Sequence, residues 1–546
     1  MKPQNPTHLA IVSVTETAYK RRRRKKTLFQ MWYMQDGSGG VLVVAIAAIV
    51  AAKLLQLLWA LFWRPYALTK NFRNQGIRGP PRHFYHGSLR EVKELTRNAA
   101  KLVLDNSSND ITPRINPHYD KWFPEYGETL VYWHGLLPRI TITDPELVKQ
   151  ILSNKFGFYV KPMFRPVTVI AKGLVLLHGP QWATRRRLLN PAFSMEKLKP
   201  MMHKIGSCTL EMVSEWGNRA REGGGCAKVE ANAEFQRLTA DIISHTAFGS
   251  SYLQGKEAFQ ALRQLQLLSA AKIADVFIPG SQYVPTPSNM EIWKLDRTLK
   301  NSLMNIIQGK VAASKSSDVG YGDDLLGMMI EASETTKGAK MNMNEIMDEC
   351  RTFYFAGHET TSNLLTWAIF LLTMHQEWQH KLRDEVLREC GMEIPDADSL
   401  SKLKLVNMVL LETLRLYSPA IEMMRMAPQD MKLGKLQIPK GTILSIPVLK
   451  IHRSKELWGD DANEFKPMRF VNGVSMAATH PNAFLPFGMG PRVCIGQNFA
   501  MMEAKSVLAL LLQRFSFTLS PDYKHTPTNN LTLQPQYGLP VFVKPL

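Results

Sequence analysis

One long apolar run near the start of the chain constrains the fold most. Residues 41–63 form a stretch of 23 residues that only Lys53 and Gln56 interrupt. As an α-helix the run is about 34 Å long, enough to cross a hydrocarbon core of about 30 Å. A cleaved signal peptide has a shorter apolar stretch of about 7–15 residues, and here aromatic residues and Arg64 follow instead of small residues. The run therefore predicts an uncleaved, lipid-contacting anchor; a buried core helix is the alternative.

Basic residues flank this run on both sides. The formal net charge is +20, and part of it lies in the run KRRRRKK at 20–26. Such a run is typical of a solvated, disordered tail, and a nucleic-acid patch is the alternative. Because the predicted membrane anchor argues against a soluble nuclear protein, we expect no nucleic-acid partner.

The orientation of the anchor depends on where the mature chain starts. The twenty residues before position 41 hold six Lys and Arg, and those after position 63 hold five, so the positive-inside rule is nearly balanced. A start at Met31 or Met34 would remove the basic tail and place everything after Arg64 in the cytosol. We expect a single-pass protein of the endoplasmic reticulum membrane with a cytosolic catalytic domain.

The rest of the sequence indicates one large globular domain. At 45% hydrophobic and 21% charged residues, the composition is typical of folded domains. Five cysteines without a C-x-x-C pair argue against a disulfide framework or a zinc knuckle. We predict four segments: a disordered basic extension at 1–40, the anchor at 41–63, a basic and proline-rich hinge at 64–85, and a catalytic domain at 86–546.

Helical periodicity dominates the catalytic domain. Apolar residues recur at helical spacing, whereas a few short segments alternate as strands do. The predicted helices lie near 192–220, 232–247, 256–275, 291–314, 343–390, 402–417 and 497–515, and the predicted strands near 129–133, 140–143 and 541–543. The predicted fold is mainly α with a small β part, preceded by one N-terminal transmembrane helix.

The most specific segment surrounds Cys494 in a glycine-rich turn ahead of a predicted helix. Gly488, Gly490 and Gly496 let the backbone pass close to a flat ligand and tolerate positive φ. The positive end of the following helix, together with metal coordination, favours a thiolate. A thiolate is the axial ligand that favours O–O cleavage at haem iron. The segment therefore predicts Cys494 as a ligand of haem iron.

At these residues the sequence resembles the cytochrome P-450 superfamily, whose signature F-x-x-G-x-R-x-C-x-G is matched at every fixed position. Arg492 is expected to neutralise a haem propionate and Phe487 to keep water off the sulfur. The resemblance implies the superfamily's fold and a haem (iron protoporphyrin IX) cofactor. It also implies use of O2 with electrons that an NADPH-dependent reductase supplies.

A further motif of the family predicts a structural ion-pair cluster. Glu412 and Arg415 match E-x-x-R, and a buried pair of this kind must be joined because each charge alone costs several kcal/mol. Arg469 is similar to the third member of that structural cluster.

Trp182 and Arg186 resemble the W-x-x-x-R motif whose members meet the haem propionates, and Arg425 looks like another propionate ligand. The alternative for Arg186 is a basic patch on a solvated helix face.

The segment Ala356-Gly-His-Glu-Thr-Thr matches the family's oxygen-activating motif. Gly357 and consecutive threonines are poor choices inside a helix, so we expect a break or kink in the long helical pattern here. The resemblance implies that the Thr360 hydroxyl and a proton from Glu359 assist O–O cleavage. His358 is expected to point elsewhere. A capping motif at a helix break is the alternative.

The substrate pocket is expected beside this motif and after Pro419. Its predicted lining is Phe355, Ala356, Ile421, Glu422 and Met423. Ligand pockets are mostly apolar with a few placed polar groups, so Glu422 is the unusual member and is expected to bind a polar group of the substrate.

Softer motifs at 76–81, 190–194 and 535–540 resemble the plant membrane-bound branch, with its hormone-inactivating, cytokinin-hydroxylating and in-chain fatty-acid hydroxylating enzymes. We expect a monooxygenase that hydroxylates a small, largely apolar plant metabolite of the hormone, fatty-acid or terpenoid class. A haem-thiolate isomerase or dehydratase, and a non-catalytic membrane-tethered haem sensor, are the alternatives.

Overall fold

A computed structural model describes residues 42–153, 159–163, 168–249, 252–273, 280–317, 320–322, 324–335 and 341–546. The chain divides into two compact units, Met1–Lys70 and Asn71–Leu546, and the predicted catalytic domain falls within the second. The predictions for residues 1–41, including the basic tail, lie outside the described residues.

The apolar run forms a helix, Leu42–Asn74, with a π-helical turn at Trp59–Trp63. Within the described part of the chain it is the one helix long and apolar enough to cross a membrane, and none of its most apolar stretch is buried. It is therefore a candidate membrane span, as the sequence predicts.

The described part of the second unit is mainly helical with small sheets, which confirms the predicted fold class. Its longer helices correspond to the predicted apolar periodicities. They are Met201–Glu222, Ala231–Phe248, Tyr252–Ile273, Pro287–Ser317, Met343–Met374, Gln376–Cys390, Lys404–Leu416 and Gln497–Leu512. Shorter helices are Leu89–Ala99, Thr112–Ile115, Pro117–Tyr126, Pro145–Leu152, Gly179–Leu189, Met195–Leu198, Leu325–Thr335, Ala397–Lys402, Val448–Ile451 and Lys455–Trp458.

The largest sheet has four strands in the order Val131–His134, Leu137–Thr141, Ile443–Ile446 and Met423–Met426. Its outer pairs are antiparallel and its central pair is parallel. A three-stranded antiparallel sheet joins Ala227–Glu230, Pro540–Pro545 and Phe515–Leu519. Two-stranded sheets join Met431–Leu433 with Leu436–Ile438, and Pro527–Asn529 with Leu533–Pro535.

The helix Met343–Met374 passes through the core. It begins with a capping box, in which the Asn342 side chain accepts from the Glu345 N–H and the Glu345 carboxylate accepts from the Asn342 N–H. Its second half is buried on all sides, as expected of a helix that is apolar all round. The pattern predicted as one long stretch at 343–390 is two helices, because His375 leaves helical geometry with φ −124° and ψ 74°.

The helix continues without interruption through residues 356–361, so a helix break at this motif is wrong, whereas the predicted kink stays a prediction. Gly357 is needed here for packing. A Cβ at this position would lie 2.7 Å from Cδ1 of Ile243 on the adjacent helix Ala231–Phe248. The poor helix former therefore permits close approach of two helices.

Candidate active site

The loop that carries Cys494 is tightly constrained. The Cys494 N–H donates to the Phe487 carbonyl over 2.9 Å, which closes the loop just before the helix Gln497–Leu512. Gly490 has φ +71°, and a Cβ there would lie 2.5 Å from the Leu152 carbonyl oxygen. Gly496 has φ −89°, and a Cβ there would meet only Phe193 Cε1 at 3.9 Å, so its backbone conformation does not require glycine.

The Cys494 side chain is exposed into a large cavity and enclosed by protein elsewhere. Burial raises its pKa, while the Gly496 N–H, Arg186 and Lys161 act in the opposite direction. The protein alone therefore favours the thiol. A metal ion must supply the remaining stabilisation of the thiolate, because coordination deprotonates a thiol.

Three cations, Lys161, Arg425 and Arg492, line this same cavity. Burial, followed by the two arginines, lowers the pKa of Lys161 to about 7. Burial likewise lowers the pKa of Arg425 and of Arg492 to about 10. Over the residues that the structure describes, none of the three forms an ion pair with a carboxylate. The group therefore needs an anion.

Trp182 lies beside this group, as predicted for a residue near the cofactor. The Arg492 guanidinium carbon lies 4.5 Å from the centre of its ring, and the Arg492 side chain also donates to the Leu177 carbonyl over 2.6 Å. These contacts fix the direction in which Arg492 reaches.

Arg186 occupies a different position from the one predicted. Its guanidinium donates to the Val493 carbonyl over 2.8 Å and to the Asn190 side chain over 2.8 Å. It is absent from the described lining of the cavity. Here Arg186 holds the peptide bond just before Cys494, and its contact with a propionate stays a prediction.

Haem fits this set of residues. The cavity offers one thiol that can bind iron, three buried cations without a carboxylate, and a largely apolar wall. A flat, apolar macrocycle with a metal centre and two carboxylates complements each feature. Cys494 would hold the iron, whereas Lys161, Arg425 and Arg492 would hold the carboxylates.

The predicted structural cluster is brought together next to the cavity. Arg415 makes two bonds of 2.7 Å to the Glu412 carboxylate, and both side chains are fully buried. Arg469 lies 3.4 Å from Glu412 and donates to the Trp458 carbonyl.

Sequence reasoning missed His452, which links the cluster to the cavity. Its ring accepts from the Leu485 N–H over 2.9 Å and contacts the Arg415 carbonyl at 3.1 Å. Leu485 lines the cavity. Burial lowers the pKa of His452 to about 3, so it stays neutral in this role.

Of the two predicted oxygen-activating residues, Thr360 lines the cavity and donates to the Ala356 carbonyl over 2.7 Å. The Glu359 carboxylate faces another direction and is 3% exposed. It accepts from Thr532 over 2.7 Å and from Gln266 over 2.9 Å. To reach the cavity, Glu359 has to change rotamer or act through water.

His358 points away from the described cavity lining, as expected. Its Nδ1 lies 2.6 Å from the Tyr354 carbonyl, and its ring packs edge-on against Phe259. Burial lowers its pKa and Glu359 opposes this shift.

The cavity has a volume of about 530 Å³. Ala356, Glu422 and Met423 line it as predicted, whereas Phe355 and Ile421 do not. Phe355 is turned to another helix face because successive helical residues differ by about 100°. Ile421 is buried in the main hydrophobic core.

A glycine-rich loop with one thiol, in a mainly helical domain and next to an apolar cavity whose three cations have no carboxylate partner among the described residues, defines a haem-thiolate protein. The model of the family described as Cytochrome P450 matches residues 110–541. Cytochrome P450 709B1 of Arabidopsis thaliana is 52% identical over 513 residues, covering 92% of this chain and 98% of that protein. Cytochrome P450 734A1 of the same species is 42% identical, covering 92% and 96%.

Secologanin synthase 1 of Catharanthus roseus is 38% identical over 515 residues, covering 92% of this chain and 98% of that protein. The chain belongs to the cytochrome P450 family, in its plant branch. It is a P450 monooxygenase that uses haem iron, O2 and reductase-derived electrons, which confirms the predicted cofactors.

Proposed function

We propose that this monooxygenase hydroxylates a small, largely apolar plant metabolite of the hormone, fatty-acid or terpenoid class. The observation that carries the proposal is the shared cavity, which brings Thr360 and Cys494 together within a wall of apolar side chains. Apolar walls exclude water and bind hydrocarbon, and a few polar groups fix its orientation. The relative Secologanin synthase 1, whose name denotes the synthesis of a small molecule, supports a metabolite substrate.

Haem supplies, when bound, the iron at which dioxygen is activated. The side chains of this chain hold and orient the reacting groups. Cys494 provides the sulfur ligand, and Thr360 presents a hydroxyl within the cavity. Glu359 is the carboxyl group one residue away that would relay a proton, and the bonds that it accepts from Thr532 and Gln266 hold it outside the cavity. Positioned proton delivery typically contributes about 10²–10⁴-fold to a rate.

The redox partner in this proposal is a membrane-bound, NADPH-dependent cytochrome P450 reductase. The candidate span Leu42–Asn74 supports co-localisation on one membrane. We infer the endoplasmic reticulum membrane, with the domain in the cytosol. Protease should digest the domain in intact microsomes. Asn106 and Asn530 match the glycosylation sequon N-x-S/T but should carry no glycans on the cytosolic side. Protection from protease or glycosylation would contradict this topology.

The proposal is tested by reconstituting the purified protein with a plant NADPH-dependent reductase and incubating it with plant metabolite extracts under ¹⁸O2. The expected product carries one heavy oxygen atom and forms only with NADPH and reductase. Rearranged or dehydrated product without NADPH would favour the isomerase or dehydratase. Haem binding without any product would favour the sensor.

Thr360→Ala tests the proton-delivery step. The variant keeps the helix and the haem but removes the hydroxyl, so NADPH consumption should persist while product per NADPH falls and hydrogen peroxide is released. Full coupling without extra peroxide would show that Thr360 only shapes the helix.

A further inference from the structure

A chain of hydrogen-bonded hydroxyls ends on Glu422 at the cavity wall. The Tyr119 hydroxyl donates to Glu422 Oε1 over 2.8 Å. Because its proton is used in that bond, its oxygen is free to accept from the Tyr132 hydroxyl, which lies 3.2 Å away. The Ser445 hydroxyl lies 3.4 Å from Tyr132. This series of hydrogen bonds orients one oxygen of the Glu422 carboxylate.

The two tyrosines are held rigidly by their surroundings. Tyr119 is 1% exposed and Tyr132 is 5% exposed, on the helix Pro117–Tyr126 and the strand Val131–His134. Burial, followed by Glu422, raises the pKa of Tyr119 well above its ordinary value, so its hydroxyl stays a donor. Rigid donors preorganise an acceptor, which lowers the entropy cost of binding.

The Glu422 carboxylate has capacity left for a ligand. Among the described residues, Tyr119 is its one hydrogen-bond donor and no cation lies within ion-pair distance. His118 packs against the Tyr119 ring, but burial lowers its pKa to about 3, so it supplies no positive charge. The second carboxylate oxygen is therefore available to a donor in the cavity.

Glu422 is also the one carboxylate among the described residues that line the cavity. The lysine and two arginines of the lining lie with Cys494 and are assigned to the cofactor. A substrate in the remaining space thus meets one negative charge within a mostly apolar wall. A carboxylate accepts hydrogen bonds but repels another carboxylate.

We propose that Glu422 selects apolar substrates that carry a hydroxyl or protonated amine, and disfavours free carboxylic acids. The inference rests on the proposed function and narrows its substrate class toward apolar molecules with a hydrogen-bond donor and away from free fatty acids. A hydrogen bond to a buried charge is typically worth about 10- to 100-fold in affinity.

The test measures binding of two matched probes, 1-dodecanol and dodecanoate, to the purified holoenzyme through the spin-state change in its haem absorbance. The wild-type protein should bind the alcohol at least about 10-fold more tightly than the acid. Glu422→Gln keeps the size and removes the charge, so the ratio should fall to about 3-fold or less, chiefly through tighter binding of dodecanoate. Tyr119→Phe should give an intermediate ratio.

Glu456→Gln is the matched control, because it makes the same change at an exposed position. Its ratio should equal that of the wild type. A wild-type protein that binds both probes equally or neither, or an unchanged ratio in Glu422→Gln, would overturn the inference. Each variant must first show the carbon monoxide spectrum of a haem thiolate. Failure of ¹⁸O incorporation would instead reject the proposed function, so the two failures are distinguishable.

Discussion

Two groups of buried arginines lie in this domain, and they are paired very differently. Arg415 makes two bonds to Glu412 and donates to the carbonyls of His452 and Glu464. Arg425 and Arg492 are also largely buried, yet among the described residues they contact carbonyls and no carboxylate.

The difference separates a structural cluster from a ligand site. Burying a charge without a partner costs several kcal/mol, so an unpaired group persists only where a ligand completes it. The lowered pKa values of Arg425 and Lys161 reflect that cost. The Glu412 and Arg415 side chains satisfy each other without haem, whereas the cavity cations would be paired by its carboxylates.

The largest effect is expected from breaking the complete cluster. Arg415→Met removes both short bonds to the buried Glu412 and leaves it only the longer contact with Arg469 and the Lys466 N–H, which should cost about 3–5 kcal/mol of stability and abolish folded holoprotein. The measurement is the yield of soluble, haem-loaded protein. Arg388→Met, at a 65% exposed side chain, is the control and should retain the wild-type yield. Normal yield of Arg415→Met would show that the cluster is dispensable.

A smaller effect, which should appear only when haem is bound, is expected at the cations that line the cavity. Arg425→Met should leave the melting temperature of the haem-free protein unchanged or raised, because it removes an unpaired cation. The same change should weaken haem retention about 10- to 100-fold, since a charge-assisted bond to a propionate is lost. The melting temperature of the haem-free protein measures the effect on stability. The rate of haem transfer to an added haem-scavenging protein measures the effect on haem retention. Equal destabilisation with and without haem would make Arg425 structural.

The smallest effect is expected at Glu503, a buried carboxyl on the helix Gln497–Leu512 whose two oxygens have no hydrogen-bond partner in the part of the chain that the structure describes. Burial raises its pKa well above the ordinary value, and Thr361 opposes this only in part. The folded state must keep a proton that the unfolded state loses, so stability falls as the pH rises above the unfolded pKa of about 4.3.

Glu503→Gln removes that loss, because the amide does not titrate. The variant should gain about 1 kcal/mol at pH 8 relative to wild type and little at pH 4, since the amide also stays buried without a partner. Denaturant unfolding at both pH values measures the difference. A variant that is less stable than wild type at pH 8 would show that Glu503 is ionised and paired.

The site residues whose placement the sequence indicates lie in short local motifs, and their roles toward haem stay predictions. Cys494, Arg492 and the pair Glu412 and Arg415 are encoded within a few residues of each other, so spacing alone places them. Lys161 was missed because it enters the site from a distant segment of the chain.

Other features of the site and of the fold also depend on tertiary contacts that the sequence does not indicate. Tyr119 reaches Glu422 across 303 positions of sequence, and no local pattern signals such a contact. Phe355 was misplaced because adjacency in sequence is not adjacency on a helix face. The break expected around Gly357 was wrong because the close approach of Ile243, invisible in the sequence, explains that glycine.

The carbon monoxide difference spectrum of the reduced protein tests the central claim most directly, with Cys494→Ser compared with Cys226→Ser. The account predicts a thiolate-type spectrum in the wild type and in Cys226→Ser, and its loss in Cys494→Ser, because an alcohol cannot supply the electron-rich sulfur ligand. A thiolate-type spectrum that survives in Cys494→Ser would contradict the assignment of the haem ligand and of the site built around it.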